Sequence, residues 1–309
     1  KPTSGTIHVD GVDVTGQPVQ QRNVAMVYQQ FINYPALTVY ENIASPMRIA
    51  GKDAATIDRE VHKASELLRL TPYLQRTPLS LSGGQQQRTA LARALVKKAT
   101  LVLLDEPLAN LDYKLREELR EELPKIFAQS GAIFVYATTE PSEALLLGGN
   151  TATLSEGRVT QFGETIAIYR QPVDLLTAKT FADPPLNTLG LVKSGQRFLL
   201  ADRHVLDVPT HLAGVADGPL TVAFHPHHLS LSATPYAAKP LQARTLVSEI
   251  AGSESFIHVE FAGARWVILA HGIHDIDPDK EIDVYIDTRH LMAFDAQGLS
   301  LLAHASMAA

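Results

Sequence analysis

The sequence predicts an α/β domain followed by a smaller all-β domain, and three observations carry that prediction. Leu101-Val102-Leu103-Leu104 is a continuous apolar run, as expected of a parallel strand buried on both faces. Ile133–Ala137 repeats that character after a charged helical stretch from Leu111 to about Leu123. Strand, helix, strand in this order indicates a parallel sheet. From Leu220 onward helical spacing disappears and short β-type runs recur at Thr221–Phe224, Ala243–Ser248, Ile257–Phe261, Trp266–Leu269 and Ile282–Ile286, the pattern of a small β-barrel.

Nearer the N-terminus, Val24-Ala25-Met26-Val27-Tyr28 reads as a buried strand. Residues 38–98 are mostly helical in pattern. Val61, Ala64, Leu67 and Leu68 recur at helix spacing between Ile57 and Leu70, and Pro72 and Pro78 punctuate the stretch beyond Leu70. Ser82-Gly83-Gly84 opens a further helix with Ala90, Leu91, Ala94 and Leu95 on one face. Composition changes after Asp183-Pro184-Pro185, which puts a domain boundary between 182 and 183.

Bulk properties bound the function. The 309 residues suffice for two domains, and 45% hydrophobic with 19% charged residues is the balance of a globular chain with a packed core. A net charge of −6 argues against a general nucleic-acid binder, which needs a basic face. The absence of cysteine removes disulfides, Cys-ligated zinc and thiol catalysis. No apolar run approaches the ~18–20 residues that span a bilayer, so membrane association is expected to go through a partner. Lys1-Pro2-Thr3-Ser4-Gly5 has neither a signal-peptide core nor an initiator methionine, and the chain reads as starting mid-domain.

The chemistry concentrates at two places. Leu101–Leu104 runs into Asp105-Glu106-Pro107, two carboxylates at the C-terminal edge of a parallel strand, where α/β proteins bind ligands. In a nucleotide site Asp105 would hold Mg²⁺ through water and Glu106 would orient and polarise the attacking water; the bland alternative is a strand followed by a helix cap. Ser82-Gly83-Gly84-Gln85 would present backbone N–H groups and a helix dipole to an anion; its bland alternative is an ordinary N-cap, which leaves Gln85 unexplained. Two further features are read conservatively. Histidines at 225, 227 and 228 are taken as surface residues rather than a metal site. Arg116–Glu122 is taken as a solvated helix face with i,i+4 pairs.

These motifs together resemble the ABC ATPases. Leu81–Gln85 with Gln86-Gln87-Arg88 looks like their signature motif, Leu101–Glu106 like Walker B, Leu108-Ala109-Asn110-Leu111-Asp112 like the D-loop, and Val27-Tyr28-Gln29 like the Q-loop. Tyr34–Ile43, Ile168-Tyr169-Arg170-Gln171-Pro172 and Val222–Leu229 extend the likeness to the sugar and polyol importer branch. The resemblance implies a P-loop ABC ATPase domain with a RecA-like core over 1–182, a helical subdomain at about 34–98, and an OB-like (TOBE) domain over 183–309. It implies ATP and Mg²⁺ as ligands. Asp105 and Gln29 would bind the metal, and Glu106, Gln29 and Thr139 would serve the chain's own ATP. Ser82, Gly83, Gly84, Gln85 and Asp112 would serve the ATP of a second ABC subunit. It also implies two transmembrane permease subunits joined through coupling helices, a solute-binding protein acting indirectly, and a peripheral place on the cytoplasmic face of the membrane. The aromatic and apolar residues Phe31, Tyr34, Pro35, Leu37 and Tyr40 would form either core or the groove that receives a coupling helix.

The sequence departs from that family twice. Its only Gly-Lys, Gly51-Lys52-Asp53, lacks the flanking residues of a phosphate loop, so that loop is expected just upstream of Lys1. Where the family has histidine after the Ile133–Ala137 strand, this chain has Thr139 in Thr138-Thr139-Glu140. Threonine is shorter and cannot carry positive charge. The expectation is an attenuated own site in an asymmetric ATPase heterodimer. A homodimeric ATPase and a non-catalytic regulatory subunit remain the alternatives.

Overall fold

The computed structural model describes residues 2–30, 32–109, 111–201 and 203–302, and for Leu115 and Ser130 the backbone alone. The chain forms two compact units, Lys1–Glu143 and Ala144–Ala309.

The first unit begins with a hairpin of β1 (His8–Val9) and β2 (Val12–Asp13). Its two-residue turn is Asp10-Gly11, both at positive φ, the conformation that matches strand twist. Then come β3 (Val24–Val27), α1 (Val39–Ile49), α2 (Ala54–Leu67), α3 (Gly83–Val96), β4 (Leu101–Asp105), α4 (Tyr113–Ser130) and β5 (Ile133–Ala137). The sheet is three-stranded and parallel, in the order β3-β4-β5. Its middle strand β4 buries Val102 and Leu104, while Leu101 and Leu103 are half-buried, so one face is sealed rather than both. β5 was expected to be buried. It is an edge strand, and Ile133 and Val135 are 65% and 52% exposed.

Two helical junctions show how sequence sets this geometry. Asn42 on α1 is fully buried, and its amide donates to the carbonyls of Tyr34, Leu37 and Thr38 while accepting from Tyr34 N–H at 2.8 Å. One side chain therefore supplies the partners that the 34–38 loop would otherwise lack. Gly51, at φ +67°, lies just beyond the end of α1, and Asp53 caps α2 by accepting from Thr56 N–H at 2.9 Å. The Gly51-Lys52-Asp53 segment is thus a helix stop followed by a helix start.

A last short helix, α5 (Pro141–Leu147), carries the chain into the second unit. There a hairpin of β6 (Asn150–Ser155) and β7 (Arg158–Glu164) precedes α6 (Thr165–Arg170) and α7 (Leu175–Thr180). Ten strands come next: β8 (Asn187–Ser194), β9 (Arg197–Leu200), β10 (Arg203–Asp207), β11 (Gly218–Phe224), β12 (Leu229–Ser230), β13 (Leu241–Ile250), β14 (Glu254–Phe261), β15 (Ala264–His271), β16 (Glu281–Ile286) and β17 (Met292–Phe294). They form two antiparallel sheets, β10-β9-β8-β11-β17 and β12-β16-β13-β14-β15. Phe198, Val222, Phe224, Trp266, Ile268 and Val284 share one core between them. Two buried polar groups sew the sheets together. Asn187 on β8 donates to Val267 O and accepts from Val267 N–H, both at 2.8 Å, and Trp266 Nε1 donates to Thr188 O at 2.9 Å.

The C-terminal region is β-rich as predicted, with β8–β10 as additional strands before Leu220. Residues 144–182 pack within this second unit. Leu175 N–H donates to Gly298 O, Ser300 N–H donates to Val173 O, and Ala178 joins a core with Ala223 and Phe294.

Candidate active site

The site is built on the C-terminal end of β4. The parallel register sets Asp105 beside Ala137 of β5, and Glu106 N–H continues the ladder by donating to Ala137 O at 2.9 Å. Glu106 itself sits at φ +43°, a left-handed conformation that a non-glycine residue adopts at a cost of order 1–3 kcal/mol. It turns the chain off the strand. Gln29 lies just past β3, the neighbouring strand, and its Nε2 donates to Glu106 Oε2 at 2.8 Å. The structure thus joins two predicted residues that lie 77 positions apart. Beyond Glu106 the segment is pinned by the buried side chains of Leu108 and Leu111.

Asp105 is half-buried, and among the described residues no donor is bonded to its carboxylate. An acceptor-only group of this kind suits a hydrated divalent cation. Mg²⁺ is commonly held by one or two carboxylates plus substrate phosphates, and the Asp105 carboxylate at the end of β4 fits that donor set. No set of three or more His, Asp or Glu among the described residues is placed to hold a metal on its own.

Helix α3 opens with a capping box. Ser82 Oγ accepts from Gln85 N–H at 3.4 Å, and Gln85 Oε1 accepts from Ser82 N–H at 3.0 Å. The box gives Gln85 a local role that its sequence context did not reveal. The N–H groups of Gly83 and Gly84 belong to the first turn and have no acceptor there, so they are the donors α3 offers to an anion. The same helix is tied to the rest of the site. Buried Gln87 donates to Pro107 O, Asn33 donates to Gln86 O at 2.9 Å, and Arg93 donates to Ile32 O while lying over the Tyr34 ring. Replacing Ser82 by alanine removes a cap worth about 1 kcal/mol, and thermal melts of the full chain should show that loss.

Thr139 is the second residue beyond β5 and is exposed, while its two neighbours are held firmly. Thr138 Oγ1 donates to Glu143 at 2.6 Å and accepts from Glu140 N–H at 2.9 Å. Glu140 takes Arg116 at 2.9 Å and also Arg120, both from α4. Glu143 is 5% exposed and accepts from Tyr136 Oη at 3.0 Å, and burial together with that carboxylate pushes the Tyr136 phenol well above its usual range. This corrects the reading of 116–122 as a solvated face: Arg116 and Arg120 are partly buried and pair across to the loop around Thr139. Periodicity could not reveal it, because the partners are 20 and 24 residues away.

Asp112 directly precedes α4 and its carbonyl accepts from Arg116 N–H at 2.9 Å. Asn110, in the same predicted motif, lies outside the described residues, as does Phe31. Tyr28, Ile32, Tyr34 and Leu37 are exposed, which places this stretch at a surface.

The profile of the ABC transporter family matches residues 1–109. The sn-glycerol-3-phosphate import ATP-binding protein UgpC of Yersinia enterocolitica is 31% identical over 303 residues, covering 96% of this chain and 83% of UgpC. This chain belongs to the ABC transporter ATP-binding proteins. Within that family, UgpC of Salmonella typhi is 35% identical over 272 residues, 87% of this ABC subunit and 76% of UgpC. YcjV of Escherichia coli K12, a putative uncharacterized ABC transporter ATP-binding protein, is 30% identical over 301 residues, with 96% and 83% covered. The β4 edge and the start of α3 therefore lie in an ABC ATPase fold with a β-rich C-terminal region.

Proposed function

We propose that this ABC subunit hydrolyses ATP to ADP and phosphate and couples the reaction to import of a small carbohydrate or polyol, as one half of an unlike ATPase pair. The observation that carries the reading is the Glu106 carboxylate, turned off β4 and held by Gln29 at 2.8 Å. A carboxylate fixed in this way can orient a water molecule and accept its proton. Bound Mg²⁺ would neutralise charge on the phosphates. Asp105 and Gln29 are the residues that would hold it. Thr139 stands where the family places its switch histidine, and it offers a neutral hydroxyl in place of a ring that can carry charge. The own site is accordingly slow.

Ser82, Gly83, Gly84, Gln85 and Asp112 would face the nucleotide of the second ABC subunit, with Gly83 and Gly84 N–H as donors. The exposed Tyr28, Ile32, Tyr34 and Leu37 beside Gln29 support a docking groove for the coupling helices of two permease subunits. No helix among the described residues is long and apolar enough to cross a membrane. Likeness to import ATP-binding proteins supports a peripheral place on the cytoplasmic face, with a solute-binding protein acting only indirectly. Composition supports an ATPase domain over 1–182 and an OB-like domain over 183–309. The solute class rests on likeness to a glycerol-3-phosphate import protein.

The test is ATP turnover by the full-length protein, alone and with its partner ATPase. Slow turnover alone and recovery with the partner are expected. Thr139→His should raise turnover of the unpaired protein by about tenfold or more. Fast turnover by the unmodified protein alone would replace the unlike pair with a homodimer.

A further inference from the structure

Four histidines of the second unit, His225, His227, His228 and His290, gather at one place; His227 and His290 are exposed and His228 is half-buried, but the sequence reading of His225 as a surface residue is corrected. His225 is 8% exposed. Its ring stacks on Tyr169 of α6 at 5.0 Å and on His227 at 5.4 Å. His227 meets His228 edge-on at 4.1 Å, and His228 stacks almost parallel on His290 at 4.2 Å. The run links three pieces of chain: α6, the 226–228 turn after β11, and the 288–290 turn before β17. His228 Nδ1 is buried and has no hydrogen-bond partner among the described residues.

We propose that this five-ring stack is a proton-operated latch: neutral imidazoles hold α6 and the 288–290 turn onto the 225–228 segment, and protonation of the stack releases them. The latch stands on its own residues and does not depend on the ATPase reading.

Neutral rings at these distances attract through stacking and edge-to-face contact. Two imidazolium rings at the same distances repel, and partial burial weakens the screening that water would provide. Protonation would also place a proton on a nitrogen, such as His228 Nδ1, that has no acceptor within reach. The charged groups on neighbouring elements are Arg170 on α6, Arg265 and His271 on β15, Glu281 and Asp283 on β16, and Asp287 and Arg289 beside the 288–290 turn. Of these, Asp287 favours the charged form of His228. Its carboxylate is already engaged by Arg289 through Nε at 3.0 Å and Nη2 at 2.6 Å, and Arg289 lies over Tyr236. Burial and the neighbouring imidazoles press His225 down to about 4 and His228 to about 3, and His227 is lowered as well.

Linkage sets the direction. A histidine whose proton affinity is lowered by folding contributes stability that is complete above its unfolded value near 6.5 and is lost as pH falls from there toward the folded value. For each imidazole held neutral, the open population should rise about tenfold between pH 7.5 and 5.5.

The experiment is a histidine-ring NMR titration of the full chain from pH 8 to 5, with amide hydrogen exchange over α6 corrected for the intrinsic rate. The expected result is that His225 and His228 remain neutral at pH values where free imidazole is charged. Protection of α6 should meanwhile fall by about tenfold per neutral imidazole as the solution is acidified. His225→Gln with His228→Gln should remove most of that pH dependence. His225 and His228 titrating near 6.5, or α6 protection that is flat across the range, would overturn the latch. The titration of the unmodified chain decides the matter even if the double variant does not fold.

Discussion

Glu106→Gln should lower own-site ATP turnover by about 10²–10³-fold and leave nucleotide affinity nearly unchanged. The substitution keeps the shape of the site. Glutamine retains a carbonyl oxygen at the Oε2 position, so the hydrogen bond from Gln29 Nε2 can persist, and the left-handed turn at 106 is untouched. The loss is the capacity to accept a proton from water. The measurement is best made in the Thr139→His background, where the own-site rate is high enough to follow, with binding read separately from a fluorescent nucleotide. Turnover within about threefold of the parent would remove Glu106 from the reaction and with it the role proposed for the β4 edge.

Gly84→Asp should have the converse effect, lowering turnover of the assembled pair by about 10²-fold while the variant chain folds normally. Aspartate in the first turn of a helix complements the dipole, so α3 itself is not weakened, and the capping box between Ser82 and Gln85 involves neither the residue nor its side chain. The new carboxylate occupies the position from which the Gly83 and Gly84 N–H groups would address a phosphate, and it repels one. Two readouts separate a site effect from a folding effect: the thermal midpoint, which should hold, and turnover through the partner's nucleotide, which should collapse. Unchanged paired turnover would mean that α3 does not face the partner's ATP.

The elements that carry chemistry were the easiest to read, because their signals are local. An apolar run ending in Asp105-Glu106 and a Ser-Gly-Gly step before a helical pattern each need only a few consecutive residues, and β4 and α3 lie where those signals place them. The contacts that hold the site in shape were illegible for the opposite reason. Gln29 meets Glu106 across 77 positions, and Arg116 and Arg120 reach Glu140 across 24 and 20, so no window of periodicity contains both partners. Exposure of β5 was also missed. Its composition is that of a buried strand, but burial is decided by what pairs with its edge, which composition does not record. The histidine stack failed for a third reason. Histidine carries no strong preference between surface and core, and only the return of the chain at 288–290 brings a fourth ring to the other three.

The closed cap of α3 bears on how such a subunit can change over generations. Gln85 and Ser82 satisfy each other, so the helix extends main chain outward. Main-chain amides are common to nearly all residues and are lost only to a substitution that obstructs them, as Gly84→Asp would. Glu106, Gln29 and residue 139, in contrast, act through side chains, and a single codon change can blunt any of them. In a pair of the kind proposed, drift would therefore erode a subunit's own reaction centre long before it eroded the service that subunit performs for its neighbour. Thr139 beside an intact α3 is the state such uneven wear would leave.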